Sequence, residues 1–210
     1  MRLPFPPLLL VTDRRQARLS LEEVVTRACA AGCRWVSLRE KDLPADEQIA
    51  LARSLVPIAL RHGARLTLHG DAEVAQAAGL GGVHLPAQGD AATARATLGP
   101  RALIGMSIHS AAEAMALDPA VVDYAVAGPA YLTASKSGYG PALGPDGVAA
   151  ICRGAKVPII AIGGIEADNA RTVLTAGAAG IAAMGSVMRA DEPGNIIKDL
   201  LGAVATSVTA

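Results

Sequence analysis

Aromatic side chains are scarce in this sequence, and neither sign of charge is in excess. Phenylalanine, tryptophan and tyrosine together make up 2% of the 210 residues, and 19 basic residues are matched by 19 acidic ones, for a net charge of +0. Proteins that bind nucleic acids usually carry a basic surface and aromatic rings on which bases stack. The sequence has neither, so we expect no nucleic-acid partner.

Long apolar runs are missing as well. A membrane-spanning helix needs about 20 consecutive apolar residues, and the apolar runs of this chain are far shorter. Pro4, Pro6 and Pro7 stand where a signal peptide would carry its apolar helix. We therefore expect a cytoplasmic protein with no membrane partner. With 51% hydrophobic residues, residues 1–210 are expected to form a single domain with one core.

Cysteine occurs only three times, which suits a reducing compartment. Cys29 and Cys33 are four residues apart and could share a helix face, but no further cysteine or histidine nearby completes a metal site. We predict that both side chains fill the core.

Short apolar runs recur eight times, and each is followed by a turn and a helical pattern. They are Leu8–Thr12, Arg34–Leu38, Arg65–His69, Gly82–Leu85, Ala102–Met106, Asp123–Ala127, Val157–Ala161 and Ala179–Met184. Most are almost continuously apolar, as parallel strands buried on both faces are. This succession predicts an α/β fold, a single (β/α)8 TIM barrel with parallel strands. The alternative is a doubly wound open sheet, although no GxGxxG motif follows the first run.

Amphipathic segments fill the intervals between the apolar runs. Ser20–Ala31 and Ala45–Arg61 are the clearest, and both have the apolar spacing of a helix. Ser20 and Glu23 have the spacing of a capping box, which predicts a helix start at this point.

Glycine follows three of the predicted strands. Gly163 and Gly164 come after the seventh, and Gly185 with Ser186 comes after the eighth. Glycine has no Cβ to keep a phosphate away from backbone N–H groups, and the last two loops of such barrels commonly bind phosphate. The segment after the sixth strand, Gly128–Lys136, adds hydroxyl and ammonium groups for a second anionic or polar group, on Thr133, Ser135 and Lys136.

Two cations and a carboxylate follow the second predicted strand, as Arg39, Glu40 and Lys41. Such a run is often only a solvated surface. At the carboxyl end of a strand, opposite the loop of Lys136, it predicts an anion site instead. Arg39 offers a planar fork to phosphate oxygens, and the lysines act as mobile point charges.

Three of the four histidines fall at predicted strand ends, at His69, His84 and His109. Neutral imidazole accepts and donates protons near pH 7, so these residues are candidates for proton transfer. Asp71 and Asp90 are candidate ligands for a hydrated Mg²⁺, which needs only one or two carboxylates beside a pyrophosphate. Both aspartates also stand at helix-capping positions, and that alternative stays open.

Six segments of the sequence recur in the order of a known family. They are Leu9–Asp13, Ser37–Lys41, Gly82–Leu85, Ile104–His109, Gly128–Lys136 and Ala161–Ile165. With these segments the sequence resembles the thiamine phosphate synthase and thiazole tautomerase family. The resemblance runs from about Leu8 to about Pro193 and implies a (β/α)8 barrel that handles thiazole phosphate.

The synthases of this family join thiazole phosphate to a pyrimidine-methyl pyrophosphate and release pyrophosphate with Mg²⁺. By resemblance, Arg39, Lys41 and Lys136 hold the pyrophosphate, and Ser107 lies near it and the pyrimidine. The remaining residues implied to contact the thiazole or its phosphate are Thr133, Ser135, Gly164, Gly185 and Ser186. The implied partners are therefore small phosphorylated thiazole and pyrimidine substrates. The oligomeric state stays open, with a homodimer among the alternatives.

This chain departs from the synthase pattern at several positions. Ser37 replaces a glutamine that would contact the pyrimidine, and His69 and Gly70 replace an Asn-Asp pair. The nearest carboxylates, Asp71 and Asp90, each come one residue late. Two alternatives follow: a thiazole tautomerase, which moves protons without metal, or a non-catalytic binder of phosphate ligands. Against the tautomerase, Pro129 stands where its catalytic histidine would be.

Overall fold

Eight short strands alternate with helices along the chain. The structure is a computed structural model, and it describes residues 3–133 and 141–208. Within these ranges the strands are Leu8–Val11 (β1), Trp35–Leu38 (β2), Arg65–His69 (β3), Gly82–Leu85 (β4), Leu103–Ile108 (β5), Tyr124–Ala127 (β6), Ile159–Ile162 (β7) and Gly180–Ala183 (β8).

Every strand pairs in parallel with its neighbours in sequence, and β8 pairs with β1. The register at this last pairing places Leu8 opposite Ile181 and Leu10 opposite Ala183. The sheet is therefore a closed barrel in the order β1 to β8. This confirms the predicted (β/α)8 TIM barrel and excludes the open sheet, because an open sheet would leave β1 and β8 without this pairing.

Helices cover the outside of the barrel. They are Leu21–Ala30 (α1), Ala45–Arg61 (α2), Ala72–Ala77 (α3), Ala91–Leu98 (α4), Ala111–Ala116 (α5), Gly144–Gly154 (α6), Ala170–Thr175 (α7), Gly185–Met188 (α8) and Pro193–Val208 (α9). The predicted capping position is confirmed, since Ser20 Oγ accepts a hydrogen bond of 3.2 Å from the backbone N–H of Glu23. In the part of the chain described, no helix is long and apolar enough to cross a membrane.

Two strands differ from the sequence prediction by two residues at one end. β5 continues to Ile108, two residues beyond the predicted end, so Ser107 lies on the strand rather than after it. β7 begins at Ile159 rather than Val157. Pro158 has no N–H to donate to the sheet, although its carbonyl accepts a 3.0 Å hydrogen bond from the Ala125 N–H.

Alternate residues of each strand face opposite sides of the barrel wall. One set packs against the helices, as Leu10 and Val36 do. The other set fills the barrel interior with a separate apolar cluster that contains Leu9, Trp35 and Tyr124. Towards the carboxyl ends of β2 to β5 this inner set becomes polar. It includes Ser37, Thr67, His84 and Ser107.

The two largest interior side chains pack against each other beside a glycine. The rings of Trp35 and Tyr124 meet edge to face, with centroids 4.7 Å apart. Gly105 is the register partner of Tyr124, and a Cβ at Gly105 would lie 2.0 Å from the tyrosine ring. The tyrosine ring thus occupies the space that a side chain on β5 would need.

Cys29 and Cys33 are fully buried in the layer between the barrel and the helices. Burial is the main reason that the pKa of the Cys29 thiol rises to about 12 and that of Cys33 to about 11. Both thiols are therefore neutral at physiological pH, and the core-filling prediction is confirmed.

Gly105→Ala is expected to lower the free energy of unfolding by about 1–3 kcal/mol, because overpacking forces a buried ring or strand to move. Urea unfolding followed by circular dichroism measures the change. Gly81→Ala is the matched control, since a Cβ there meets nothing within 4 Å. Equal stability of the two variants would show that the Tyr124 ring is not confined by Gly105.

Candidate active site

A cavity of about 300 Å³ opens at the carboxyl ends of the strands. Its apolar walls come mainly from the strands and include Val11, Val126 and Ile162. Its polar lining contains most of the residues proposed from the sequence. These are Arg39, His69, His84, Ser107, Thr133, Gly163, Gly164, Gly185 and Ser186.

Several predicted site residues are not part of this lining. Lys41, His109, Asp71 and Asp90 lie outside the lining of the cavity. Ser135 and Lys136, in the loop after β6, fall outside the described residues.

Glu40 is a buried carboxylate that joins the loops after β1 and β2. It is 1% exposed and accepts a 2.7 Å hydrogen bond from the Thr12 hydroxyl. Its carboxylate also accepts the backbone N–H of Arg14 at 3.1 Å and lies 3.2 Å from the Arg14 guanidinium. The charge of Glu40 is therefore balanced by Arg14 and not by the cations next to it in sequence.

Arg39 enters the cavity from this braced loop. Its backbone N–H donates to the Thr12 hydroxyl at 2.9 Å, which fixes the start of the side chain. Partial burial, and secondly the charge of Arg39, lower the pKa of the neighbouring residue Lys41. Arg14 also forms an ion pair with Asp42, at 2.8 Å. Its hydrogen bond to this carboxylate lowers the pKa of Asp42 to about 2.

The glycine loop after β7 is shaped by contacts with the loop after β6. Gly163 and Gly164 have φ values of 103° and 63°, a region that favours glycine. A Cβ on Gly164 would lie 2.7 Å from the carbonyl oxygen of Leu132. The Gly163 carbonyl accepts the Tyr131 N–H at 2.9 Å, and the Gly164 carbonyl accepts the side-chain N–H of Asn169 at 2.9 Å.

The loop after β8 brings a cation that the sequence reasoning missed. Arg189 lines the cavity, and a Cβ on Gly185 would lie 2.5 Å from its guanidinium. Arg189 donates to the side-chain oxygen of Gln16, and Gln16 in turn donates to Asp13 at 2.7 Å. The sequence offers one signal for this arrangement, since position 189 lies four residues after the glycine and hence one helical turn away.

The histidines of β3 and β4 lie side by side at the cavity. His69 and His84 are register partners, and their ring centroids are 4.7 Å apart. His84 is 3% exposed, with Nε2 2.9 Å from Ser107 Oγ and Nδ1 3.3 Å from the Tyr124 hydroxyl. His109 differs from the prediction, because its Nδ1 lies 2.9 Å from the Gly128 carbonyl oxygen, where it braces the end of β6.

Asp71 and Asp90 both cap helices, as the alternative interpretation expects. Asp71 accepts the Glu73 N–H at 2.8 Å. Asp90 accepts the Thr93 hydroxyl at 2.6 Å and its N–H at 3.0 Å, and these bonds lower the pKa of Asp90. Within the described residues no group of three or more His, Cys, Asp or Glu side chains could hold a metal. Both aspartates therefore satisfy backbone N–H groups at helix starts.

Comparison with known proteins finds similarity to thiamine-phosphate synthases along most of the chain. The family model described as thiamine monophosphate synthase matches residues 8–187. A putative thiamine-phosphate synthase of Geobacter sulfurreducens is 42% identical over 196 residues, which cover 92% of this chain and 92% of that protein. A thiamine-phosphate synthase of Chlorobium luteolum is 35% identical over 211 residues, covering 99% of this chain and 97% of that protein.

A solved structure agrees with the sequence comparisons. The thiamine phosphate pyrophosphorylase of Pyrococcus furiosus superposes with a TM-score of 0.85 and is 29% identical, and the match covers 96% of each chain. The resemblance found in the six sequence segments is thereby confirmed over nearly the full length. The chain belongs to the thiamine monophosphate synthase family.

Proposed function

We propose that this chain is a transferase that couples a hydroxymethylpyrimidine pyrophosphate to thiazole phosphate and releases pyrophosphate. The observation that carries the proposal is the meeting, in one cavity, of Arg39 with the glycine loops after β7 and β8. Two anionic groups can be held there at once, one by the loop backbone and one by the guanidinium. The family and the names of its relatives support the same reaction.

The glycine loops take the phosphate of the thiazole in this proposal. Gly163, Gly164, Gly185 and Ser186 offer backbone N–H groups without a long side chain in the way. Arg189 adds a positive charge beside Gly185. Thr133, which lines the cavity from the loop after β6, contacts the thiazole ring in this proposal.

Arg39 acts on the pyrophosphate. The bond between the pyrimidine methylene carbon and the pyrophosphate oxygen breaks, and the electron pair leaves with the oxygen. The thiazole then supplies the electron pair for the new bond to the same carbon. The leaving group gains negative charge only as the first bond breaks, so a positioned cation stabilises the transition state more than the ground state. Lys41 and Lys136 are proposed to assist, and Ser107 to hydrogen-bond the pyrimidine substrate.

Magnesium dependence is a separate prediction that follows from the family. Asp71 and Asp90 each cap a helix, and the proposal gives neither of them a role as a metal ligand. A hydrated ion carried by the pyrophosphate needs few protein ligands. No step in the coupling reaction proposed above depends on either carboxylate.

A second candidate function is isomerisation of thiazole phosphate by proton transfer. The closely spaced rings of His69 and His84 at the cavity favour it, since one imidazole could accept a proton and the other donate one. One experiment separates the candidates: the purified protein is assayed for thiamine phosphate with both substrates and, separately, for isomerisation of thiazole phosphate alone. Thiamine phosphate formation without isomerisation supports the transferase, and the reverse result contradicts it.

Inorganic phosphate is expected to shift the backbone amide resonances of Gly163, Gly164, Gly185 and Ser186 in a ¹⁵N-labelled sample. Arg189→Gln should weaken this binding about tenfold, the value of one charge-assisted hydrogen bond. Arg101→Gln is the control, because Arg101 is exposed and outside the cavity lining. Shifts confined to other amides would contradict the assigned phosphate site.

Arg39→Ala is expected to reduce turnover far more than it weakens thiazole phosphate binding. Loss of one well-aimed cation should cost about 2–4 kcal/mol of transition-state stabilisation. Steady-state kinetics and calorimetric titration measure the two effects, and Lys136→Ala should behave in the same way. Equal losses in turnover and binding would mean that these cations hold the ground-state ligand, as in a non-catalytic binder.

Asp71→Asn and Asp90→Asn are expected to leave both the melting temperature and the magnesium requirement nearly unchanged, because asparagine caps helices about as well as aspartate. The alanine variants should each lose about 1 kcal/mol of stability with the cap. Activity measured against magnesium concentration, with a chelator as the zero point, tests this. A steep rise in the requirement of either asparagine variant would make that aspartate a metal ligand.

A further inference from the structure

A chain of three hydrogen-bonding side chains leads from the barrel interior to the cavity. It begins at the Tyr124 hydroxyl, passes through both ring nitrogens of His84 and ends at Ser107 Oγ. Of the three, His84 and Ser107 line the cavity, whereas Tyr124 lies beneath it. The direction in which protons point along this chain follows from its buried end.

Tyr124 is fully buried, and burial raises the pKa of its phenol. The hydroxyl therefore keeps its proton. In the part of the chain that the structure describes, the recorded hydrogen-bond partner of this hydroxyl is His84 Nδ1, at 3.3 Å. A buried O–H without an acceptor costs the desolvation of that group, so the phenol donates to Nδ1.

This donation decides the tautomer of His84. A neutral imidazole whose Nδ1 accepts a hydrogen bond carries its proton on Nε2. The Nε2–H then donates to Ser107 Oγ at 2.9 Å. In the other tautomer the Nδ1–H would itself be a donor, and the phenol proton of Tyr124 would be left without an acceptor.

Ser107 receives its orientation from His84. Because the serine oxygen accepts the Nε2–H, its own proton is left to donate elsewhere. Ser107 is half-buried and lines the cavity, so this proton is available to an acceptor on a substrate in the cavity. The direction of the Ser107 hydroxyl is thus set by Tyr124, which acts through His84.

Tyr124, the buried end of this hydrogen-bonded series, is held rigidly. The Tyr124 ring fills the position left open by Gly105, and Trp35 packs edge to face against it with a centroid distance of 4.7 Å. The hydroxyl consequently stays at one point relative to His84, since neither neighbour leaves room for the ring to turn aside.

We propose that Tyr124 is a positioning residue, which fixes His84 as the Nε2–H tautomer and thereby directs the Ser107 hydroxyl at the pyrimidine substrate. The inference deepens the proposed transferase function and rests on it for the identity of the substrate. Removing the phenol oxygen alone should therefore change both the tautomer of His84 and the rate of the chemical step.

Tyr124→Phe tests this, because it keeps the ring beside Gly105 and removes only the hydroxyl. Long-range ¹H–¹⁵N spectra of the labelled full chain, with His84 assigned through His84→Gln, should show the Nε2–H tautomer in the wild type and a mixture in Tyr124→Phe. Tyr131→Phe is the matched control. It also removes a phenol hydrogen bond, to the Asn169 carbonyl at 3.2 Å, and should leave the His84 signals unchanged.

Kinetics provide the second readout. Tyr124→Phe should lower kcat about tenfold, the value of one hydrogen bond at the upper end of the usual range, with KM for thiazole phosphate within about twofold. In a Ser107→Ala background the same substitution should have no further effect, because the serine through which Tyr124 acts is gone. A merely structural role would reduce kcat by the same factor in both backgrounds.

Three results would overturn the inference: an Nδ1–H tautomer in the wild type, an unaltered tautomer in Tyr124→Phe, or fully multiplicative losses in the double variant. Circular dichroism melting of each variant shows whether it folds. If the wild type forms no thiamine phosphate, that result contradicts the proposed function but not the tautomer inference. The tautomer comparison between wild type and Tyr124→Phe still decides whether Tyr124 sets the proton positions.

Discussion

Pairing between β8 and β1 is the constraint on which the rest of this structure depends. It leaves no strand edge in the sheet and brings the carboxyl ends of all eight strands to one rim. Loops that are far apart in sequence become neighbours there, as Gln16 and Arg189 show. The cavity is a consequence of closure, since its walls come from strands at both ends of the chain.

Small residues inside the barrel determine where its large ones stand. A Cβ on Gly82 would lie 2.4 Å from the Leu103 carbonyl oxygen, and one on Gly180 would lie 2.3 Å from the Pro7 carbonyl oxygen. The strands approach closely at these points, and the interior volume is filled from other strands by Trp35 and Tyr124. The polar residues at the cavity rest on this packed layer, which gives them fixed positions.

Features that depend on local sequence patterns, such as strands, glycine loops and helix caps, could be predicted from the sequence. Strands buried on both faces, separated by helical segments, are sufficient to indicate a closed parallel barrel, and glycines after β7 and β8 indicate where a phosphate would bind. The predicted end of β5 at Met106 falls two residues short of the observed end at Ile108, so Ser107 lies on the strand rather than after it. Helix caps can be recognised by position, and Asp71 accepts the backbone N–H of Glu73 at the start of α3.

Contacts between distant residues could not be predicted from the sequence. Nothing in a single sequence pairs Glu40 with Arg14, or Tyr124 with His84, because these pairs depend on register and on the direction of side chains across the barrel. For Arg189 the sequence indicates only that it lies one helical turn after Gly185, and its contact with Gln16 depends on closure of the barrel. Pattern locates the rim of the barrel, and packing decides which rim residues face the cavity.

The contact between the loops after β6 and β7 links two halves of the cavity. Hydrogen bonds from Ala130 to the Ile162 carbonyl at 2.8 Å and from Tyr131 to the Gly163 carbonyl at 2.9 Å make each loop the support of the other. The two loops can therefore move only together or after these hydrogen bonds break. If a ligand on one loop changes the affinity of the other loop for a second ligand, thermodynamic reciprocity makes that coupling equal in both directions.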